Sequence, residues 1–569
     1  MASLLDSYYR YVKCFAVLCF MTQAAQADDF PDKIRQYELA LANNPIAIST
    51  YRRNYILPIA YDSNLPRASD FNHIVGGPPD HTELKYQLSL KVALADNIFG
   101  DNGDLFLGYT QYSLWQAYNP RSAPFRETNY EPEIFLRFDN STSLWRWTNT
   151  FNRVGLIHQS NGRPGVLSRS WNRIYYDAVF SRGPWTVSLM PWWRLPETDG
   201  RDDNPNIQSY IGYGDLTVVY TTPTGHEFSL LARGNPMEGR YGGQLDYAFP
   251  LFGRVRGYLQ YYNGYGETLI DYNRRVNRIG IGFSFNPLVP GAPGGMESLE
   301  DRPSQLHLRE YLEYLSETNP LAISTYRRNY ILPASINRRD FSKEHFDLLG
   351  TGASPDDVEF KFQLSLKTHL WSEPFGLPGD LYAAYTQTSW WQAYNGPASS
   401  LFRETNHEPT LFMSFPSDRH WLGWHNTDNV VGFVHQSNGR AGPLSRSWNR
   451  IYLESHFQQG NWHARFRPWW RVPESEDSDD NPDIDHYLGY ADATFGYARD
   501  GHEITWQIRG NPFQGTYGHQ VEYAFPLWSK VHGFVQLYEG YGESMIDYNQ
   551  KVSRIGLGLS FSSDFLGGS

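Results

Sequence analysis

An eighteen-residue block occurs twice in this chain, and that duplication limits the possible folds more than any other feature. It reads HQSNGRPGVLSRSWNRIY from His158 to Tyr175 and HQSNGRAGPLSRSWNRIY from His435 to Tyr452, with two positions changed. The copies lie 277 residues apart, Ser160 against Ser437. The flanks repeat as well. PIAISTYRRNYILP (Pro45–Pro58) returns as PLAISTYRRNYILP (Pro320–Pro333), and GYGETLIDYN (Gly264–Asn273) returns as GYGESMIDYN (Gly540–Asn549). Between the repeats, NPLVPGAPGGMESLEDRPSQ is rich in Pro and Gly and has no periodicity, which reads as a linker. The expected organisation is a signal segment at 1–27, one domain at 28–286, a linker at 287–305 and a second domain at 306–569.

Each block holds a His, a Ser two residues on, and an Asn twelve residues after that Ser. These are the parts of a serine nucleophile, its base and an orienting group. The spacing has a geometric sense if the block is a β-hairpin. Side chains alternate along a strand, so Val154, Leu156, His158 and Ser160 share one face, and Gly155, Ile157 and Gln159 the other. A hairpin centred at Gly165 places Asn172 beside His158. One tight hairpin then assembles His158, Ser160 and Asn172, and its copy His435, Ser437 and Asn449.

The amino terminus predicts export. Arg10 and Lys13 precede the apolar run CFAVLCFM, and Ala25-Gln26-Ala27 fits a small-x-small cleavage site. That run is too short to span a bilayer as a helix. Both cysteines, Cys14 and Cys19, lie in it, so the mature chain has neither disulfides nor thiol catalysis. A net charge of −12 without a basic stripe argues against nucleic acid. Mean hydropathy is −0.54, yet strand-like alternation is widespread, as in Glu83–Ala93, Glu359–Lys367, Val255–Tyr261 and Val531–Tyr538. With 16% aromatic residues, the pattern suggests outer-membrane β-barrels with aromatic girdles and strands of ~9–11 residues. A pair of soluble β-sandwiches is the competing architecture, because alternation does not say whether the apolar face meets lipid or a core.

The catalytic block, with PFRETNYEP (Pro124–Pro132) and YGETLIDYN (Tyr265–Asn273), resembles outer membrane phospholipase A of Gram-negative bacteria. The second copy carries LFRETNHEP (Leu401–Pro409), DDNPDI (Asp479–Ile484) and YGESMIDYN (Tyr541–Asn549). The resemblance implies an all-β fold of two tandem transmembrane antiparallel barrels, about twelve strands each, in the outer membrane. It implies calcium-dependent hydrolysis of sn-1 and sn-2 acyl esters of phospholipids and lysophospholipids. Ser160 and Ser437 are the implied nucleophiles, His158 and His435 the bases, and Asn172 and Asn449 the groups that orient the imidazoles. The implied calcium ligands are the Ser168 hydroxyl, the Arg163 carbonyl and the Ser122 carbonyl in the first copy, with Ser445, Arg440 and Ser399 in the second. The serine carbonyl comes from the partner barrel.

One departure concerns a second calcium site. Where the family can have an aspartate two residues after the arginine, this chain has Gly165 and Gly442. Asp203 and Asp480 remain in the DDNP loops, so each such site is short of one carboxylate. Gln111 and Gln387 match the glutamine that pairs across the family's dimer interface. The expected partners are membrane phospholipids as substrate, the outer membrane, and a second barrel, either within the chain or from another copy. The competing functions are a catalytically silent barrel serving as porin or scaffold, and a soluble secreted esterase.

Overall fold

The chain forms two closed antiparallel barrels of twelve strands each. The structure is a computed structural model that describes residues 48–64, 79–119, 125–163, 165–197, 202–252, 255–286, 288, 324–339, 347–348, 354–396, 402–440, 442–475, 479–528 and 531–563. The signal segment, and the linker apart from Leu288, lie outside the described residues. In the first barrel the ring runs from Tyr55–Asp62 through Thr82–Ala95 and Asp104–Trp115 to Val276–Ser284, which pairs back onto Tyr55–Asp62. The second closes where Val552–Ser560 meets Tyr330–Asn337. All four segments read as strands from their alternation lie in strands, at Thr82–Ala95, Val358–Ser372, Val255–Gly264 and Val531–Gly540. Ring strands run from 8 to 20 residues, so some exceed the expected length. The excess continues beyond a bilayer's width into the polar ends of the hairpins.

The outward and inward rows decide between barrel and sandwich. Ile279 and Ile281 are each 52% exposed, while Arg278, on the opposite face of the same strand, is 1% exposed. A soluble sandwich buries its apolar row and wets its polar row. Here the arrangement is reversed, as it is in a barrel whose outer wall meets lipid. This overturns the soluble two-sandwich alternative. No described helix is long and apolar enough to cross a membrane, and the crossings are made by strands.

The buried polar row is matched charge by charge. Lys85 Nζ lies 2.9 Å from Glu267, which also takes Arg278 at 3.0 Å, and Arg278 reaches Glu83 at 2.9 Å. Arg126 spans Glu83 and Asp271 at 2.6 and 2.7 Å. The second lumen repeats this with Lys361, Glu543, Arg554, Glu359, Arg403 and Asp547. A buried charge without a partner costs several kcal/mol, so such a lumen is stable only when paired throughout. An even strand number brings both chain ends of a barrel to one rim. There Asn54 N donates to Asn286 Oδ1 at 2.7 Å, and Phe285 N to the Asn54 carbonyl at 2.9 Å. The Ser160 and Ser437 hairpins stand at the opposite rim.

Candidate active site

The hairpin forms as the spacing predicts. Strands Trp147–Ser160 and Ser170–Arg182 pair with His158 opposite Asn172 and Ser160 opposite Ser170. In the second copy Trp424–Ser437 pairs with Ser447–Gln459, His435 opposite Asn449. The imidazole Nδ1 lies 2.9 Å from the Asn Oδ1 in both copies. An amide oxygen only accepts, so the contact holds the Nδ1–H tautomer and leaves Nε2 as the free base. Each serine stands two residues along the same face, and no hydrogen bond joins it to its imidazole among the described residues. Contacts of this kind between nucleophile and base commonly shorten only when substrate is bound.

The face that carries His158 and Ser160 is the outer one. Val154 and Leu156, in the same row as His158 and Ser160, are 43% and 44% exposed. The inward row fastens the strand to the lumen. Gln159 Oε1 accepts from Trp171 Nε1 at 2.7 Å, and Gln159 Nε2 donates to Glu131 at 2.8 Å. Gln436 does the same with Trp448 and Glu408. The turn is shaped by a residue that the spacing did not point to. Asn161 Oδ1 accepts from Arg169 N at 3.0 Å, and its Nδ2 donates to the Leu167 carbonyl at 2.9 Å. Gly162 follows at φ +62, a left-handed conformation that side chains disfavour, which accounts for the Asn-Gly pair there.

The expected calcium ligands divide into two groups. Ser122 and Ser399 lie outside the described residues. Ser168 Oγ donates to Asp203 Oδ2 at 2.6 Å, and Ser445 Oγ to Asp480 Oδ2 at 2.6 Å. The structure therefore joins a residue expected at the first site to the acidic loop expected at the second. The guanidinium of Arg163 donates to the Phe125 and Arg126 carbonyls at 2.5 and 3.1 Å, and Arg440 matches it on Phe402 and Arg403. Those bonds fix the hairpin over the rim. The donor set of hydroxyl, carbonyl and carboxylate oxygens suits a hard divalent cation, so these residues fit calcium.

Glu197 and Glu474 were not singled out from the sequence. Asn449 Nδ2 donates to Glu474 Oε1 at 3.0 Å, on the side of the amide away from His435. Burial raises the Glu474 carboxyl above its ordinary range, the Asn449 amide and Arg471 pull it back, and Asp479 and Asp480 push it further up. Glu197 is raised in the same way, by burial and by Asp202 and Asp203, with Asn172 and Arg194 opposing. The available signal was a matched Pro-Glu after Trp-Trp-Arg in both copies, WWRLPE and WWRVPE.

Comparison with known proteins decides the family. The phospholipase A1 family profile matches twice, over residues 32–285 and 306–561. The chain belongs to the phospholipase A1 family. Phospholipase A1 of Proteus vulgaris is 41% identical over 249 residues, covering 43% of this chain and 84% of the relative. Phospholipase A1 of Escherichia coli K12 is 38% identical over 247 residues, with 43% and 84% covered. Among solved structures, outer membrane phospholipase A from Escherichia coli is 38% identical, with a TM-score of 0.40 over 43% of this chain and 99% of that one. The Salmonella typhi outer membrane phospholipase dimer with bound calcium is 37% identical, with a TM-score of 0.42 over 45% and 98%. Each relative corresponds to one repeat, so the family unit is present here in duplicate.

Gln111 and Gln387 lie at the face shared by the two barrels, as expected, but without a direct bond between them among the described residues. Both face outward and are fully buried. Gln111 Oε1 accepts from Tyr109 at 2.8 Å and Gln387 Oε1 from Tyr385 at 3.2 Å. The link between the two amides runs through tyrosines: Tyr109 also hydrogen-bonds Gln387 of the other barrel, Gln111 Nε2 donates to the Tyr86 hydroxyl at 3.4 Å, and the Tyr86 and Tyr385 hydroxyls lie 3.3 Å apart.

Proposed function

We propose that this outer-membrane phospholipase uses calcium and two Ser-His-Asn sites to hydrolyse sn-1 and sn-2 acyl esters of phospholipids and lysophospholipids. The observation that carries this reading is the duplicated imidazole–amide pair on the lipid-facing wall. An acyl chain in the outer leaflet lies beside that wall, so substrate need not enter the barrel. The free Nε2 of His158 or His435 takes the serine proton, and Oγ adds to the ester carbonyl carbon. The imidazolium returns that proton to the leaving lysolipid oxygen, and water later cleaves the acyl-serine by the same route. Asn172 and Asn449 hold the ring through both stages but lack the charge an aspartate would offer. The calcium would be held by Ser168 and Arg163 with Ser399 of the other barrel, and by Ser445 and Arg440 with Ser122 of the other barrel, with Asp203 and Asp480 beside the hairpin serines. When bound, such a cation stabilises the negative charge that develops on the carbonyl oxygen.

The two barrels form the working pair within one chain. What supports this is a reciprocal set of contacts of the kind a two-fold interface makes. Phe125 meets His407 at 4.7 Å between ring centroids, and its counterpart Phe402 meets Tyr130 at 4.6 Å. Tyr86 meets Tyr385 at 6.0 Å, and Tyr109 meets Phe362 at 6.2 Å. A linker of about twenty residues, if flexible, has a root-mean-square reach of about 25 Å and holds the second barrel at roughly millimolar effective concentration. The decisive test is phospholipid turnover by purified full chain with and without a calcium chelator. Release of fatty acid only in the calcium arm, lost when both serines become alanine, is expected. Calcium-independent turnover, or turnover surviving the double change, would overturn the reading.

A further inference from the structure

A Ser-His-Asn site lacks the carboxylate that usually stabilises the imidazolium. The structure points to where that charge comes from. Strand Ser447–Gln459 carries Asn449 next to strand Trp462–Val472, with Asn449 paired to Val472. Two residues past that pairing the chain turns through Pro473 and sets Glu474 on the far side of the amide. Asn449 thus accepts from His435 through Oδ1 at 2.9 Å and donates through Nδ2 to Glu474 at 3.0 Å. A side-chain amide with both ends engaged has no freedom to flip, which fixes its oxygen toward the ring. It also polarises along the chain of bonds, passing part of the carboxylate's effect to the imidazole.

We infer that Glu474, and Glu197 in the first copy, are positioning residues that turn each Ser-His-Asn site into a four-membered Ser-His-Asn-Glu relay. This rests on the Ser-His-Asn reading and deepens it. The glutamate touches neither substrate nor nucleophile. It holds Asn449 in its productive orientation and supplies a negative charge behind the imidazolium that forms as Ser437 loses its proton. Glu197 stands at the matching place, where the Asn172 amide lowers its carboxyl against burial, while its Oε1 is buried without a hydrogen-bond partner. The relay is thus drawn tighter in the second copy than in the first.

The test uses full-length chain with Ser160→Ala, so that only the second site turns over. Glu474→Gln keeps the shape and removes the charge. It should lower kcat roughly 10- to 100-fold, by analogy with the loss of groups that orient metal-bound histidines, with KM unchanged. Removing a nearby anion lowers the histidine's pKa, so the acid limb of kcat/KM should move to lower pH. The charged or polar groups facing this unit are Arg450 and His407 around His435, and Arg471, Asp479 and Asp480 around Glu474. All of them stay in place in the variant. Glu474→Asp should restore part of the rate, and an unchanged thermal midpoint would show that the barrel is intact. Labelling by a fluorophosphonate separates the two readings. Ser437 Oγ forms a bond to phosphorus, fluoride leaves and the hydroxyl proton passes to His435. If Ser437 labels but Glu474→Gln changes neither labelling rate, kcat nor the acid limb, the relay is wrong and the Ser-His-Asn site stands. If Ser437 of the unmodified chain never labels, both fail.

A second, independent observation lies at the other rim. The turn joining Phe402–Trp421 to Trp424–Ser437 sets His420 directly across from His425, their rings stacked at 4.6 Å and 9°, with Asp418 Oδ1 2.8 Å from His425 Nε2. One ligand atom from each of the three residues falls within 4.8 Å of the others. Two imidazoles and a carboxylate suit zinc, with water as fourth ligand. The first barrel has Ser141, Ser143 and Thr148 at these places, so it serves as an internal blank. We propose a zinc-class cation site here, distinct from the catalytic rim. Calorimetric titration of full chain with zinc chloride, at saturating calcium, should lose one equivalent in the His420→Gln, His425→Gln double variant. Equal zinc uptake by variant and unmodified chain, or no uptake by either, overturns it.

Discussion

The two barrels are the same machine at the hairpin and differ at its edges. The imidazole–amide distance is 2.9 Å in both, the serine–aspartate distance 2.6 Å in both, and the lysine–glutamate pair in the lumen 2.9 Å in both. The differences gather where a change is either solvated or compensated. Tyr130 is replaced by His407, each buried against a phenylalanine of the other barrel, Phe402 and Phe125, and Asn206, which bonds Tyr272, is replaced by Asp483, which bonds Tyr548. The lumen offers the clearest case. Arg274 bridges Asp62 and Asp271 in the first barrel, and the second has Gln550 and Asn337 in place of Arg274 and Asp62. A cation and an anion are missing together. Inside a low-dielectric lumen a single loss would strand a charge, whereas a joint loss leaves the balance unchanged.

If the hairpins are equivalent, the largest effect comes from breaking both. Ser160→Ala and Ser437→Ala should each leave roughly half the turnover, and together none, because each serine makes its own acyl-enzyme. Total loss from Ser437→Ala alone would show that the first barrel is a silent partner, and the comparison would then be between an enzyme and its support. The next effect concerns calcium. Chelation should abolish turnover in both barrels. Asp203→Asn and Asp480→Asn should each raise the calcium needed roughly tenfold at their own site, since carboxylate count tunes such affinities. Calcium titrations in Ser437→Ala and Ser160→Ala backgrounds read the two sites separately.

Much of this is legible in the sequence. Once the hairpin is centred at Gly165, as the Arg163-Pro164-Gly165 turn suggests, the pairing of His158 with Asn172 follows, because strand register is arithmetic. The apolar alternation foretold strands and left closed barrel and open sandwich as competing architectures. It could not say which row met lipid, and so left His158 on an unassigned face. That followed only from Arg278 and Glu83 being buried while Ile279 and Ile281 are exposed. Glu474 was illegible for a different reason. Its approach to Asn449 depends on a neighbouring strand and the loop beyond it, twenty-five residues away in sequence. Gln111 and Gln387 sit at the shared face as the sequence implied, but the hydroxyls of Tyr109, Tyr86 and Tyr385 that join them depend on how the two barrels meet, which strand alternation does not carry.

Dilution bears on whether the two barrels work as one. Specific activity at saturating calcium should change little as protein is diluted in micelles, since the linker keeps the partner barrel close. A collapse on dilution that crosslinking between chains restores would mean that the working pair forms between molecules.

The smallest effect tests the compensated pair in the lumen. Asp62 accepts from Arg274 at 2.9 Å and from Arg278 at 3.4 Å, while Arg274 keeps Asp271 at 2.8 Å. Asp62→Asn removes one anion from two arginines that each retain another, so the loss should stay below the ~3–5 kcal/mol of a fully stranded buried charge. Arg274→Gln alone leaves Asp62 with Arg278, and Asp271 with Arg126. Both together reproduce the second barrel's residues at these two places. Neighbours in one network commonly couple by ~0.5–3 kcal/mol, so the double variant should be less destabilised than the two singles combined. Thermal unfolding of the four chains in detergent gives that cycle. Plain additivity would mean that the joint replacement in the second barrel is coincidence, and that the two lumens tolerate charge loss independently.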